Sequence, residues 1–197
     1  MYRFFFKKAL DIILCVIISP FFVIISLLIT ILIKLEDGGP IFYVASRIGK
    51  NGKLFNMYKF RSMSVDSQLI LNSDGSTYNS PQDTRVTKVG KFIRQTSLDE
   101  LPQICNVIKG DMSIIGPRAS LASALSTYST DEMDKMKVLP GITGYTQAYF
   151  RNDLSIREKR IKDAWYANNV NFILDMKIFF KTISTVLLQK GLYTNKR

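Results

Sequence analysis

The clearest hydrophobic pattern in the chain is an uncharged, almost wholly apolar run from Ile12 to Ile33. A straight helix over this run would be about 33 Å long, close to the thickness of the hydrocarbon core of a bilayer. A cleaved signal peptide fits poorly, because the run is long and no small-residue cleavage site ends it. By length alone, the pattern predicts a membrane helix.

Two features complicate a simple crossing of the bilayer. Ser19 and Pro20 lie inside the run, where a proline removes a helical hydrogen bond and favours a bend. Basic residues flank both ends of the run, at Arg3, Lys7, Lys8, Lys34, Arg47, Lys50 and Lys53. Because Lys and Arg are enriched on the cytoplasmic side, this distribution favours both ends on one side of the membrane. The residues alone leave a spanning helix and a re-entrant helix-break-helix open.

The pattern changes to that of a β-hairpin over residues 41–63. Residues 41–44 (IFYV) are strand-like, Asn51-Gly52 is a favoured turn dipeptide, and residues 54–60 (LFNMYKF) partly alternate between apolar and polar. The stretch 66–83 is rich in Ser, Asn and Asp, so it predicts a loop.

Helical patterns dominate the rest of the chain. We predict a helix over 98–109 that ends at Gly110, a second over 119–137, and a charged helix over 155–168. A last helix, over 172–189, carries an apolar stripe at helical spacing, with two lysines beside it. The stripe comprises Ile173, Met176, Phe180, Ile183 and Leu187, and the lysines are Lys177 and Lys181. A helix lying flat on a bilayer and a helix packed on the core both fit this stripe.

Charge and composition narrow the function. The chain has 27 Lys+Arg against 16 Asp+Glu, a formal net charge of +11, so we expect anionic partners such as phospholipid, nucleotide or phosphosugar. It has no histidine, which excludes a Ser-His-Asp triad and the His-Glu-x-x-His zinc site. No recognisable nucleic-acid-binding motif accompanies the charge, so nucleic acid is not an expected partner. Any chemistry must rest on carboxylates, Lys, Arg, hydroxyls or a hard metal ion.

The main candidate for chemistry is the adjacent carboxylate pair Asp99 and Glu100, at the start of a predicted helix. Ser97 and Glu100 have the spacing of a capping box, and acidic residues in a first turn favour the helix dipole. Pro102 sits awkwardly in a helix capped by Ser97, which favours a less regular start. The motif alone therefore leaves helix capping and catalysis open.

Basic residues surround this pair along the sequence and make a catalytic role attractive. They are Lys59, Arg61, Arg85, Lys88, Lys91, Arg94 and Arg118. A carboxylate can attack phosphorus as a nucleophile, and cations then neutralise the phosphoryl oxygens in the transition state. Such a site also needs a divalent ion such as Mg²⁺, which takes oxygen ligands. A solvated basic face is the plain alternative for these residues.

The order of the motifs resembles a known family. The chain carries KFRSM at 59–63, TSLDELPQ at 96–103, NVIKGDMS at 106–113, GPR at 116–118 and PGITG at 140–144. These motifs are similar to those of the bacterial sugar transferase family, the monotopic polyprenyl-phosphate phosphoglycosyl transferases. The resemblance covers nearly the whole chain, from Lys8 to about Gly191.

The resemblance implies a Mg²⁺-dependent, two-step transfer of a sugar-1-phosphate from a UDP-sugar to undecaprenyl phosphate, with release of UMP. Asp99 falls on the family's nucleophile, and Glu100 falls on a catalytic position associated with the metal. Arg94 and Arg118 fall on phosphate-binding cations. Further phosphate or substrate contacts are expected from Lys59, Arg61, Gln147 and Arg151.

The resemblance also implies an α+β fold that is mainly α. Residues 1–36 would form a re-entrant membrane helical hairpin broken at Ser19 and Pro20. Residues 37–197 would form a cytoplasmic catalytic domain with a β-hairpin and several amphipathic helices at the membrane interface. The expected location is the cytoplasmic face of the bacterial inner (plasma) membrane, in contact with the lipid bilayer. The sequence leaves open a homodimer or contacts with downstream glycosyltransferases.

Some positions depart from the family pattern. Leu139 stands where the family usually has Arg, Ala119 follows GPR where Pro is usual, and residues 145–152 (YTQAYFRN) differ from the usual segment. These departures bear on sugar or nucleotide specificity and leave the Asp-Glu pair untouched. A rival hypothesis from another class is a non-catalytic, basic, membrane-docked scaffold that binds anionic lipid or a partner protein.

Overall fold

The structure, a computed structural model, describes residues 2–72, 75, 77–151 and 153–188 of the chain. Its α-helices are α1 (Lys7–Asp37), α2 (Lys88–Gln95), α3 (Gln103–Lys109), α4 (Tyr145–Tyr149), α5 (Ile156–Asn168) and α6 (Phe172–Leu187). Its strands are β1 (Phe42–Ile48), β2 (Leu54–Phe60), β3 (Ser113–Ile115) and β4 (Gly141–Thr143). Short 3₁₀ turns lie at Lys50–Gly52, Leu98–Glu100, Ala122–Thr127 and Met133–Lys137, and a π-helical turn, Tyr2–Phe6, precedes α1. The predicted mainly helical fold with a small antiparallel hairpin is confirmed.

Helix α1 is one uninterrupted helix of 31 residues that passes through Ser19 and Pro20. Pro20 has no N–H to donate to the carbonyl of Val16, and the hydroxyl of Ser19 donates to that carbonyl instead, at 2.8 Å. The helix is therefore continuous through Ser19 and Pro20, and the re-entrant bend predicted there stays a prediction. Among the described residues, α1 is the one helix long and apolar enough to cross a membrane, by length and composition.

Both ends of α1 contact the rest of the chain. Near its start, the ammonium of Lys7 lies 2.5 Å from the carboxylate of Asp175 in α6. At its end, Asp37 pairs with the guanidinium of Arg61, just beyond β2. The helix is thus fixed at two points to the same body of the protein, and the predicted domain boundary after residue 36 stays a prediction.

The predicted β-hairpin is confirmed. Strands β1 and β2 pair antiparallel along their whole length, with Phe42 opposite Phe60 and Ile48 opposite Leu54. The turn between them has Asn51 in the left-handed region, with a φ of 56°. Asn tolerates this conformation better than most residues, which explains its place in the turn.

The predicted helix over 98–109 is wrong in its first part. The chain makes a 3₁₀ turn first, and α3 begins only after Pro102. Proline in the interior of a helix would remove a hydrogen bond and clash with the preceding turn, so the regular helix starts beyond it. The predicted end is confirmed, because Gly110 closes α3 in the left-handed region with a φ of 85°.

The predicted helix over 119–137 is also wrong, because this stretch holds two 3₁₀ turns instead. Its first residues are drawn into contact with β1. The N–H of Ile48 donates to the carbonyl of Ser120 at 3.0 Å, and Arg47 forms an isolated antiparallel bridge with Leu121. Extended pairing at this point is incompatible with a helix that begins at residue 119.

The two C-terminal helices are confirmed. Ser155 caps α5 through a capping box with Glu158. Helix α6 begins at Phe172 as predicted, and its predicted end at Gln189 lies outside the described residues. Tyr166 of α5 and Ile178 of α6 are fully buried in one apolar core.

The apolar stripe of α6 faces outward. Ile173 and Phe180 are each 66% exposed, and Ile183 is 42% exposed. Packing of this stripe on the core is therefore not what the structure shows, since the opposite side of α6 provides the core residue Ile178. Lys177 lies beside the stripe and is exposed as well.

Candidate functional site

Asp99 and Glu100 lie in the 3₁₀ turn between α2 and α3, and this turn is not a helix cap. Ser97 is in the left-handed region, with a φ of 59°, and its side chain makes no capping hydrogen bond. The capping-box alternative is therefore wrong, because a capping residue needs an extended backbone to aim its oxygen at the helix. Leu98 and Leu101, on either side of the carboxylates, pack into the apolar core and fix the turn.

The two carboxylates have different partners. The Lys59 ammonium donates a hydrogen bond to Oε1 of Glu100 at 2.5 Å, and Nη1 of Arg118 lies 3.5 Å from the same oxygen. Asp99 makes no hydrogen bond with any described residue, and the Lys59 ammonium lies 3.9 Å from its Oδ2. The Asp99 side chain is only 14% exposed. Asp99 therefore presents a carboxylate that accepts no hydrogen bond from the described residues, in a mostly enclosed, cationic site.

Burial and charge move the two pKa values in opposite directions. Burial raises the pKa of Asp99 against the attraction of Lys59, and the charge of Glu100 raises it further. Burial also acts to raise the pKa of Glu100, but the charges and hydrogen bonds of Lys59 and Arg118 outweigh it and hold this pKa below its usual value. Two neighbouring carboxylates whose pKa values are moved apart in this way can take different chemical roles.

Lys59 is held in place by the way β2 docks on α3. The N–H of Tyr58 donates to Oδ1 of Asn106 at 3.1 Å, and Nδ2 of Asn106 donates to the carbonyl of Asn56 at 2.7 Å. The Asn106 side chain thus continues the hydrogen bonding of β2 as a neighbouring strand would, and it is fully buried. Because Lys59 follows Tyr58 directly, this docking directs the ammonium towards Glu100.

The GPR and PGITG motifs meet backbone to backbone. A Cβ at Gly141 would lie 2.1 Å from the nitrogen of Gly116, and a Cβ at Gly144 would lie 2.0 Å from the oxygen of Gly116. No side chain fits at these contacts, which explains the glycines in both motifs. The parallel pair β3–β4 leads into this crossing and brings Arg118 towards the carboxylates.

A buried ion pair, Lys135 and Asp163, holds the backbone of Arg118. The Lys135 ammonium donates to the carbonyl of Arg118 at 3.1 Å. The N–H of Arg118 donates to the carboxylate of Asp163, which also accepts a hydrogen bond from the hydroxyl of Thr146 at 2.8 Å. Lys135 and Asp163 are thus placed to position Arg118.

Two further predicted cations act on the pair. The charge of Arg94, in α2, lowers the pKa of Asp99, while Arg151 lies within electrostatic reach of Glu100. Arg94 also donates to Oδ1 of Asn79 at 3.0 Å. Direct contacts thus join Asp99, Glu100, Lys59 and Arg118 in one site, while Arg94 and Arg151 act on the carboxylates only through their charge.

Two predicted residues have other partners. Arg61 is 7% exposed, and its guanidinium binds the Asp37 carboxylate and two backbone carbonyls, which joins β2 to the end of α1. Nε2 of Gln147 donates to the carbonyl of Ile142 at 3.0 Å, while its Oε1 is buried without a hydrogen bond. The structure shows neither residue in contact with the carboxylates.

The donor atoms of the site fit a magnesium ion that takes most of its ligands from substrate and water. The described part of the chain holds no cluster of three or more His, Cys, Asp or Glu side chains. Mg²⁺, however, is often held by one or two carboxylates together with substrate phosphates. Oε2 of Glu100 accepts no hydrogen bond from the residues that the structure describes, so it is open as an oxygen ligand beside Asp99.

Sequence reasoning missed Asn106, Lys135 and Asp163. Asn106 did leave a signal, because it is a polar residue between Ile104 and Val107 in an otherwise apolar helical pattern. Lys135 and Asp163 left none, since charged residues at these positions read as ordinary surface positions until the fold buries them.

Comparison with known proteins identifies the family of the chain. The model of the bacterial sugar transferase family matches residues 2–189. The chain is 39% identical over 206 residues to the undecaprenyl-phosphate galactose phosphotransferase of Salmonella typhimurium, covering 96% of this chain and 42% of that protein. It is 40% identical over 193 residues to the UDP-N-acetylgalactosamine-undecaprenyl-phosphate N-acetylgalactosaminephosphotransferase of Aeromonas hydrophila, covering 95% and 45%. It is also 40% identical over 169 residues to an uncharacterized sugar transferase, EpsL, of Bacillus subtilis, covering 86% and 81%.

The chain spans less than half the length of the Salmonella and Aeromonas proteins, and about four-fifths of the Bacillus protein. The family match extends from the turn before α1 to the end of α6, so it includes the apolar helix, the hairpin and the carboxylate turn. On this match, this chain belongs to the bacterial sugar transferase family.

Proposed function

We propose that this protein transfers a sugar-1-phosphate from a UDP-sugar to a polyprenyl phosphate such as undecaprenyl phosphate, as a first membrane step of polysaccharide or glycoconjugate assembly. The names of the Salmonella and Aeromonas relatives support transfer of a sugar phosphate to a polyprenyl carrier. The observation that carries the proposal is the Asp99 carboxylate, which accepts no hydrogen bond from the described residues and lies beside Lys59 and Glu100.

In the first step, an oxygen of Asp99 forms a bond to the sugar-linked phosphorus of the donor. The bond from that phosphorus to the bridging oxygen breaks, and UMP leaves with the electron pair. In the second step, an oxygen of the polyprenyl phosphate attacks the same phosphorus, and the Asp99 carboxylate is released. The products are UMP and polyprenyl-diphosphate-sugar. The raised pKa of Asp99 goes with a more basic oxygen, which suits a nucleophile.

The surrounding cations stabilise the charge that develops on the phosphoryl oxygens. Lys59 is the best placed, because its ammonium reaches both carboxylates and lies in a site that excludes most water. The Arg118 side chain is more exposed, at 57%, so it can adjust its position to bind a substrate phosphate at the mouth of the site. Mg²⁺ held by Glu100 and substrate phosphates would supply additional positive charge.

We place the site at the cytoplasmic face of the bacterial inner membrane, with α1 dipping into the lipid and returning. A straight helix of this length would be about 46 Å long and would carry its ends to opposite sides of a bilayer. Support for the re-entrant arrangement comes from the contacts of both Lys7 and Asp37 with the same body of the protein. A homodimer or contacts with downstream glycosyltransferases stay predictions.

The decisive experiment measures UMP release from a panel of UDP-sugars by the purified protein with undecaprenyl phosphate and Mg²⁺. The variant Asp99→Asn keeps the shape of the turn and removes the nucleophile, so we expect turnover to fall at least about a thousandfold. Asp131→Asn is the matched control, because Asp131 is exposed and its side-chain partners among the described residues are the exposed Arg157 and the nearby Ser129. The control should retain full activity.

Full turnover by Asp99→Asn would overturn the covalent mechanism. Absence of UMP release from every UDP-sugar, in a wild-type protein that binds anionic vesicles, would instead favour the basic membrane-docked scaffold. The two outcomes are separable, because the scaffold hypothesis predicts that Asp99→Asn keeps its binding to anionic vesicles, with no more than a small change in stability.

A further inference from the structure

Arg47, in β1, is a cation without a partner at the edge of the carboxylate site. Its Nε is buried and has no hydrogen bond, and no carboxylate of the described residues forms an ion pair with it. Leaving a buried donor unsatisfied costs about 1–3 kcal/mol, and more for a charged group. The folded chain thus leaves the Arg47 guanidinium without a hydrogen bond at its buried nitrogen.

The hairpin register places Arg47 on the same face as Lys59. Arg47 lies opposite Phe55, and Lys59 lies opposite Tyr43. Directly paired residues of an antiparallel hairpin point to one side, and so do residues two or four apart along a strand. Lys59 reaches the carboxylates from this face, so Arg47 shares it at about 13 Å along the strand.

A second contact brings Arg47 towards the Arg118 turn. Arg47 bridges to Leu121, and the neighbouring Ile48 N–H donates to the carbonyl of Ser120 at 3.0 Å. These residues follow Arg118 almost directly. Backbone hydrogen bonding thus joins the edge of β1 that carries Arg47 to the segment that follows Arg118.

The charges around Arg47 fit this placement. Burial lowers the pKa of Arg47, the charge of Arg118 lowers it further, and Glu100 and Tyr43 act in the opposite direction. Two guanidinium groups that repel each other next to one carboxylate leave an excess of positive charge. An anion from outside the chain would offset this excess.

We propose that Arg47 binds the phosphate of the donor that leaves as UMP, on the Glu100 side of the site. This inference rests on the proposed function and adds a residue to it. Asp99 addresses the phosphorus under attack, and Lys59 reaches both carboxylates. Arg118, in contrast, contacts only Glu100, and the charge of Arg47 acts on that same side, where the second phosphate of the donor would lie. A planar guanidinium suits this role, because its fork of N–H donors matches two oxygens of one phosphate.

The test uses Arg47→Met, which keeps the apolar stem and removes the charge. We expect the affinity for UMP, measured by calorimetry on the full-length protein, to fall about 10- to 100-fold. The affinity for uridine should not change, because uridine has no phosphate. In turnover, the KM for the UDP-sugar should rise while the KM for undecaprenyl phosphate stays the same. Arg47→Lys should recover part of the UMP affinity.

Arg157→Met is the matched control, since Arg157 is 70% exposed and its one ion-pair partner among the described residues is the exposed Asp131. Unchanged UMP affinity and an unchanged donor KM in Arg47→Met would overturn the inference. An equal loss for uridine and UMP, together with a lower Tm of the free protein, would also overturn it, because that pattern indicates a structural role.

Failure of the proposed function gives a different result. A wild-type protein that releases no UMP from UDP-sugars, yet binds UMP through Arg47, would keep the phosphate site and discard the transfer reaction. A protein with full Asp99-dependent turnover and Arg47-independent UMP binding would keep the reaction and discard the site.

Discussion

The ammonium of Lys135 lies 3.3 Å from Oδ2 of Asp163, and the two side chains are only 7% and 3% exposed. Both groups also bond to the backbone of Arg118, one to its carbonyl and one to its N–H. This buried pair therefore links the stability of the fold to the position of a cation in the candidate active site.

Removing one member of the pair should unfold or strongly destabilise the protein. Lys135→Met leaves the Asp163 carboxylate buried without a cation, which should lower the free energy of unfolding by about 3–5 kcal/mol. The double variant Lys135→Met with Asp163→Asn removes both charges and should recover most of that loss. Thermal unfolding in detergent measures both effects.

The double variant also separates stability from positioning. Since the Arg118 carbonyl has lost its ammonium donor, we expect the KM for the UDP-sugar to stay raised even where the Tm is restored. A double variant with wild-type stability and wild-type KM would show that the pair only stabilises the fold.

Asn106 should affect activity through Lys59. Asn106→Leu has a similar size but leaves the Tyr58 N–H and the Asn56 carbonyl without partners, which should cost about 1–3 kcal/mol for each buried group. Turnover should fall further than the loss of folded protein explains, because Lys59 is no longer aimed at Glu100. Asn168→Leu, at an exposed asparagine bonded to Asp134, should change neither stability nor turnover appreciably.

The pH dependence of the reaction should shift when Lys59 loses its charge. Asp99 attacks as a carboxylate, so the rate of UMP release should rise with pH through its pKa, which burial raises above 3.8. The Lys59 charge lowers that pKa, and Lys59→Met should therefore move the acid limb of the profile to higher pH. Lys59→Arg keeps a positive charge and should move it less. An acid limb that stays in place in Lys59→Met would show that Asp99 does not control it.

Cysteine labelling can establish the path of α1 in the membrane. In a Cys105→Ser background, which keeps the buried Cys15, a cysteine introduced at the exposed position Lys8 or Leu35 should react with an impermeant thiol reagent from the same side of the membrane. A cysteine at the exposed Arg157 marks the side of the catalytic body. Reaction of Lys8→Cys and Leu35→Cys from opposite sides would replace the re-entrant helix with a spanning one.

The elements with strong local patterns were predictable from the sequence, and the short ones were not. The apolar run gave α1, and Asn51-Gly52 gave the hairpin, because in each case neighbouring residues carry the information. Strands β3 and β4 have three residues each, too few for an alternating pattern. The stretch after Arg118 has a composition that allows a helix, but its contact with the edge of β1 overrides that preference.

The residues of the site were likewise only partly predictable from the sequence. The motifs identified Asp99, Glu100, Lys59 and Arg118, which the structure brings together. They could not separate these residues from Arg61, because membership of a motif does not distinguish a cation that meets substrate from one that is paired with Asp37. That distinction depends on which chain segment folds against which, and the sequence spacing does not contain it.

The two-point attachment of α1 bears on any attempt to make a water-soluble version of this enzyme. Cys15, Ile29 and Ile33 of α1 belong to the apolar interior, so deleting the helix would open two of the three cores to solvent. Deletion would also leave the buried Asp175 carboxylate without the ammonium of Lys7, its ion-pair partner. A detergent-free variant would therefore have to keep the inward stripe of α1 and exchange only its exposed apolar side chains for polar ones.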